Sequence, residues 1–345
     1  MAYTTINKSS DNFNANPYTG NGGTLGVDVG FQPDLTWLKC RDIAYYHRLY
    51  DVIRGVGKSL RSDTTASEET NSGEGLTAFN SDGYTVIQGS NTEYNNNNVD
   101  YASWNWKAGG TASSNTDGSI TSSVSANTTS GFSIVSYTGT GANATVGHGL
   151  GVAPKMIITK STGAVTGWGV YHQSLGNTDA LFLEETTATG ASSVYWNNTS
   201  PTSSVFSVGS AGAMNNTNGM IAYCFADVQG YSKFGSYTGN GNADGPFIYT
   251  GLKPAFILFK NSSSSAEWEI YDNKRIGYNS ANYHLNPSDN TAEATLSNRV
   301  DLLSNGFKIR VASSGPVNSS GASYIYMAFA EAPLVGTNNV PATAR

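Results

Sequence analysis

The segment Tyr-Thr-Gly-x-Gly occurs three times in this chain, at residues 18–22, 137–141 and 237–241. Other residues recur in register with it. Gly-x-x-Pro-x-x-x-x-x-Lys follows each copy without a gap, giving Gly30/Pro33/Lys39, Gly151/Pro154/Lys160 and Gly251/Pro254/Lys260. A tyrosine stands seventeen residues beyond each proline (Tyr50, Tyr171, Tyr271), and three residues before it lie His47, Trp168 and Trp268. The proline-to-proline offsets of 121 and 100 residues far exceed the roughly 20–50 residues of a solenoid unit. Each copy is therefore domain-sized, and the chain reads as one module used three times.

The copies also end alike, in aromatic runs at "YASWNWKAGG", "GMIAYCFADVQG" and "YIYMAFAEAP". Within them apolar residues alternate or form short blocks ("GFSIVSYTG", "PKMIITK", "PAFILFK", "GFKIRV") bounded by Gly, Pro, Asn, Asp or Ser, which is the signature of strands. Asp82-Gly83, Asn305-Gly306 and Asp117-Gly118 are expected to turn the chain with positive φ. The prolines are expected to open their strands, where a missing N–H does little harm. "RDIAYYHRLYDVIRG" is the one helix candidate, but its counterpart "GWGVYHQSLG" is broken by glycine, so strand plus turn is expected. The fold class is all-β: three tandem antiparallel β-sandwich modules. The divisions are an N-terminal arm (1–14), repeat 1 (15–110), a Ser/Thr/Gly-rich linker (111–130), repeat 2 (131–229), repeat 3 (231–334) and a C-terminal tail (335–345).

Charged residues make up 13% of the chain, well under the roughly 25% of ordinary soluble proteins. With a net charge of −6 and a pI near 5.2, the chain lacks the basic patch that releases counterions from nucleic acid, so no nucleic-acid partner is expected. No apolar run approaches the ~20 residues of a membrane helix, and residues 1–16 lack the apolar core of a secretory signal. Neither membrane insertion nor export is expected. Cys40 and Cys224 fall at non-equivalent positions and are expected as buried free thiols.

Residues capable of catalysis are scarce. His47 and His172 lie near the repeated tyrosine at different offsets, and no nucleophile or carboxylate recurs beside either of them, or beside His148 or His284. Glu68, Glu69 and Glu74 read as a solvated acidic loop. Glu184 and Glu185 are adjacent and point to opposite faces of a strand, so they cannot act as a pair. Tyr-Thr-Gly-x-Gly lacks the Lys-Ser/Thr of a phosphate loop, and the "SDG" and "NADG" segments offer too few oxygens for calcium. No catalytic, metal or cofactor residue is expected. Trp104, Trp106, Trp168 and Trp268 recur with the module and read as core, which leaves Tyr94, Tyr278 and Tyr283 as aromatics free for contacts.

Seven motifs, among them "WLKCRDIAYYHRLYDVIRG", "FSIVSYTGTGANATVGHGLGVAPKMIITK" and "YSKFGSYTGNGNADGPFIYTG", resemble a family of virion structural proteins of marine tailed phages, including cyanophages. The likeness runs from about Tyr18 to Pro333. It implies lectin-like sandwich modules and the labels tail-fibre-like or phage structural protein, and it brings no catalytic residues. The expected role is a non-enzymatic protein of the outer surface of the phage particle, a head decoration or short appendage, made in the host cytoplasm. The alternative is a tail fibre that recognises host surface glycans, which aromatics exposed in one copy only would favour. A depolymerase would need a facing carboxylate pair, and none is visible. The expected partners are other virion proteins and further copies of the chain, as a homo-oligomer and foremost a trimer, since virion attachment points are symmetric.

Overall fold

In the computed structural model, which describes residues 3–276, 278–336 and 341–342, each repeat builds the same inner antiparallel sheet. Its opening strand is Phe13–Thr19, Phe132–Thr138 or Ser232–Thr238. The closing strand (Asp100–Trp106, Gly219–Phe225, Ser323–Pro333) pairs beside it. The strand carrying the repeated lysine (Leu35–Cys40, Met156–Ser161, Leu252–Asn261) comes next. A fourth strand (Arg48–Asp51, Gly169–His172, Trp268–Asp272) carries the repeated tyrosine. An outer sheet covers each inner one: 24–28 with 83–87 and 75–80; 144–147 with 205–208; and 247–249 with 306–309, 294–303 and 281–284. Among the described residues, helix is confined to single turns at 9–11, 193–196 and 212–215. The chain is an all-β protein of three sandwiches.

The lysine strands are buried on both faces, and period-two geometry sends alternate residues to different cores. Leu38, Ile157 and Ile257, with Tyr50, Tyr171 and Tyr271, fill the interior of their own sandwich. Leu35 and Trp37, Met156 and Ile158, and Phe256 and Leu258 face the other way, into one core shared by all three repeats. Trp168 and Trp268 enter this shared core while the tyrosines three residues on enter the sandwich, as residues an odd number apart on a strand must. At its centre the equivalent residues Trp106, Phe225 and Phe329 form a triangle with ring centroids 6.2, 5.7 and 6.0 Å apart. The repeats therefore stand around a pseudo-threefold axis with their inner sheets turned inward.

Corresponding bonds recur at the seams, the tryptophan bond at two of them and the lysine and backbone bonds at all three. Trp168 Nε1 donates to Arg61 O (2.7 Å) and Trp268 Nε1 to Phe182 O (3.0 Å). Lys160 Nζ reaches Thr65 O, Lys260 Nζ reaches Thr186 O and Lys39 Nζ reaches Asn290 O, at 2.9, 2.8 and 3.3 Å. Backbone bonds from Glu68 N to Thr162 O, Thr189 N to Ser262 O and Glu293 N to Arg41 O run parallel to them. Repeat 2 thus grips repeat 1, repeat 3 grips repeat 2, and repeat 1 grips repeat 3. The ring closes within one chain.

Several details differ from expectation. Residues 111–130 are no slack linker: Ser122–Asn127 and, outside it, Ser113–Asn115 add two strands to the inner sheet of repeat 2, with Val124 in that repeat's core. Ser122 and Ser125 are buried there because each is hydrogen-bonded, to Gly147 O and from Gly109 N, so a serine-rich run hid a strand. The opening strand begins at Phe13, inside the expected arm, and Ile6 of the arm enters the shared core. Residues 337–340 and 343–345 of the expected tail lie outside the described residues. Pro33 and Pro154 precede their strands, whereas Pro254 sits at a bulge within its strand, the other place a sheet tolerates proline. Gly83, Gly118 and Gly306 do not take positive φ. A Cβ there would lie 1.9, 2.4 and 2.0 Å from the carbonyl oxygens of Val27, Thr145 and Ile248, so close approach of two backbones is what requires them.

Candidate functional site

The residue types that most often carry chemistry are spent on packing. All four histidines are buried. His47 Nδ1 accepts from Trp37 Nε1 (2.9 Å), His148 Nδ1 from Leu150 N (3.2 Å) and His172 Nδ1 from Ser174 N (3.2 Å). Burial holds all four below the usual imidazole pKa, His172 at about 4. Glu184 accepts from Trp168 N (2.8 Å), and burial raises its pKa, while Glu185 turns away to Thr187. The acidic run is not a solvated loop. Glu68 and Glu69 pair with Arg54, Lys58, Arg48 and Arg61, fixing the segment that repeat 2 grips. Burial pulls Lys39, Lys160 and Lys260 down to about 8, and carbonyl oxygens hold each ammonium. Cys40 and Cys224 are buried free thiols. Among the described residues, no group of three or more His, Cys, Asp and Glu is placed to hold a metal ion.

Tyr-Thr-Gly-x-Gly is a structural turn locked by an asparagine that the sequence comparison missed. Tyr18, Tyr137 and Tyr237 donate their hydroxyls to the carbonyls of Tyr94, Met214 and Val317. The next residues, Asn95, Asn215 and Asn318, are fully buried and accept from Asn21 N, Thr140 N and Asn240 N at 2.8–3.0 Å. A Cβ on Gly20, Gly139 or Gly239 would fall 2.2–2.3 Å from the carbonyl oxygen one residue past that asparagine. Varying loop lengths conceal the asparagine in the sequence.

What remains on the surface is unequal among the repeats. Tyr94, expected as a free aromatic, is buried and accepts from Asn71 Nδ2 (2.9 Å); Tyr283 is half-buried and Tyr278 is exposed. Two further exposed aromatics stand on one strand of repeat 3. Phe247 is 47% and Tyr249 56% exposed, with Ile248 between them buried in the core. Their positions against the partner strand match Gly26 and Asp28 in repeat 1, and Thr145 and Gly147 in repeat 2. The aromatic face belongs to repeat 3 alone, and comparison among the repeats at this strand is the signal that finds it.

Tyr249 borders a shallow groove of about 420 Å³ that Tyr3, Asp227, Gln229, Lys233 and Thr250 also line. A second hollow of about 540 Å³ continues it past Thr129 and Val152, sharing Tyr3, Asp227 and Gln229. The N-terminal arm shapes both, anchored by Tyr3 Oη donating to Gly251 O (2.7 Å). Burial and the neighbouring Tyr249 push the Tyr3 phenol up to about 12. Asp227 is neutralised by Lys233 (2.6 Å) and accepts from Phe234 N (2.9 Å), so the groove carries no net charge from this pair.

No curated protein and no solved structure matches the chain. One family of domains of unknown function, DUF7483, matches residues 8–333. The match runs from the arm to the end of the last closing strand and takes in all three repeats as one unit, as a ring with a shared core requires. The chain belongs to the DUF7483 family.

Proposed function

We propose that this chain is a non-enzymatic structural protein of the outer surface of a tailed-phage particle, a head decoration or short appendage. The closed ring carries the reading. His172, the three repeated lysines, Arg41 and Arg54 all bond across the seams between sandwiches, which suits a rigid building block. The likeness of the sequence motifs to phage structural proteins supplies the particle. Cryo-electron microscopy of the phage that encodes the chain is the test. Density for three sandwiches around a pseudo-threefold axis on the exterior supports the reading, and absence of the chain from purified particles refutes it. A second reading, recognition of a host surface glycan, is favoured by one observation: the exposed aromatic face occurs in a single repeat.

A further inference from the structure

We infer that the outward face of the Phe247–Tyr249 strand and the groove beside it form a binding site for a neutral oligosaccharide. The inference rests on the second reading above and gives it a place and a ligand class. Three near-equivalent copies of one fold act as internal controls. At this strand the fold is satisfied by Gly26 and Asp28, or by Thr145 and Gly147, so the sandwich does not need aromatic rings there. Repeat 3 places two of them in water on alternate positions, hence on one face and roughly 7 Å apart along the strand. A single exposed apolar residue needs no explanation, but two aromatics on one face, Tyr249 of them lining a groove, point to a contact.

The chemistry of the surroundings selects the ligand. Aromatic faces stack on the apolar C–H face of a sugar ring, and the sugar hydroxyls then need hydrogen-bonding groups nearby. The exposed amide of Gln229 offers a donor and an acceptor. Asp227 and Lys233 line the same wall already paired. Lys308, opposite Phe247, is paired with Asp244 (2.5 Å). Among the described residues lining the groove, no cation is left unpaired for a phosphate, sulfate or uronate. Gly306 lies opposite Tyr249 and has no side chain to crowd the ring. The groove's 420 Å³ lies within the roughly 300–1,000 Å³ of small-molecule clefts.

The test is a calorimetric titration of the full chain with cello-, malto-, manno- and chito-hexaose, with hexagalacturonate as the anionic comparison. Saturable binding of at least one neutral hexasaccharide is expected, weakened about tenfold or more, ~1.4 kcal/mol, in Phe247→Ala/Tyr249→Ala. Tyr278→Ala, an exposed aromatic outside the groove, leaves the affinity unchanged. Because both truncated side chains are about half in water, the double variant keeps the parent's melting temperature, which shows that lost binding is not lost folding. The inference is overturned by no binding of any neutral hexasaccharide, by tighter binding of hexagalacturonate, or by affinity that survives the double substitution. Self-association of the parent abolished by the double variant also overturns it, assigning the face to a protein contact. None of these outcomes bears on where the chain sits in a particle, so this inference and the structural reading fail separately.

Discussion

Replacing Trp168 by alanine tests whether the three sandwiches are one folding unit. The indole is fully buried in the shared core, donates to Arg61 O across the seam and lies under the Lys160 ammonium at 5.9 Å. Truncating such a residue costs about 3–5 kcal/mol. What that does to the melt depends on the size of the cooperative unit. Unfolding entropy near 2.1 cal/mol/K per residue gives ~0.7 kcal/mol/K for all 345 residues and ~0.2 kcal/mol/K for a free module of about 100 residues. A ring that unfolds as one therefore drops by about 4–7 °C in a single transition. A chain of independent modules instead loses about 14–24 °C in one transition carrying a third of the heat. Differential scanning calorimetry separates the two, aided by the ratio of calorimetric to van't Hoff enthalpy, which is near one for a single unit. A split endotherm in Trp168→Ala, with two-thirds of the heat left at the parent temperature, would refute the shared core.

Four further outcomes follow from the same structure. Gly139→Ala should destabilise by more than ~3 kcal/mol in urea unfolding, since its Cβ would fall 2.2 Å from Asn216 O, while Gly190→Ala, with nothing within 4 Å, should stay within about 0.5 kcal/mol of the parent. Acid should weaken the fold through His172: its folded pKa near 4 lies below the unfolded ~6.5, so the unfolded state binds the proton first and stability falls as pH drops from ~6.5 to ~4. His172→Gln should flatten that slope in unfolding titrations across pH. Asp63 works in the opposite sense. Burial raises it to about 7, so its contribution is lost as pH rises from ~4 to ~7, and Asp63→Asn should gain more stability at pH 8 than at pH 5. Mass photometry reads the oligomeric state: a species of three times 36.3 kDa supports the homotrimer expected from the sequence, and a single chain at micromolar concentration refutes it.

The repeat, the strands and the buried tryptophans were legible because each leaves a mark at fixed spacing. Gly-x-x-Pro-x-x-x-x-x-Lys keeps its register in all three copies because the lysine strand is buried on both faces and tolerates no insertion. The ring was not legible, because its acceptors are backbone carbonyls of Arg61, Phe182 and Asn290, whose side chains need not resemble one another. Lys39, Lys160 and Lys260 gave the one hint, as lysines repeated in the inward register of an apolar strand. Asn95, Asn215 and Asn318 escaped notice because the loops before them vary in length. Phe247 and Tyr249 escaped because "PFIY" is too short a run to align until the partner strand fixes its register.

A closed ring in a single chain also permits what a homotrimer forbids. In a true trimer each seam position carries the same side chain three times; here each can change once. Asp51, His172 and Asp272 are equivalent, as are Arg54, Leu175 and Arg275. Two repeats keep the buried Asp–Arg pair and the third has lost both charges together. That joint loss is what energetics demands, since a lone buried aspartate or arginine would cost several kcal/mol. The partners across the seams follow suit. Tyr223 Oη donates to Asp51 (2.8 Å) and Trp104 Nε1 to Asp272 (3.0 Å), whereas neutral His172 meets the backbone at Tyr326 O (3.3 Å). The backbone bonds close the ring, so the side chains above them are free to differ in matched sets. The outer strands, with no seam to satisfy, are freer still, and it is there that repeat 3 alone carries Phe247 and Tyr249.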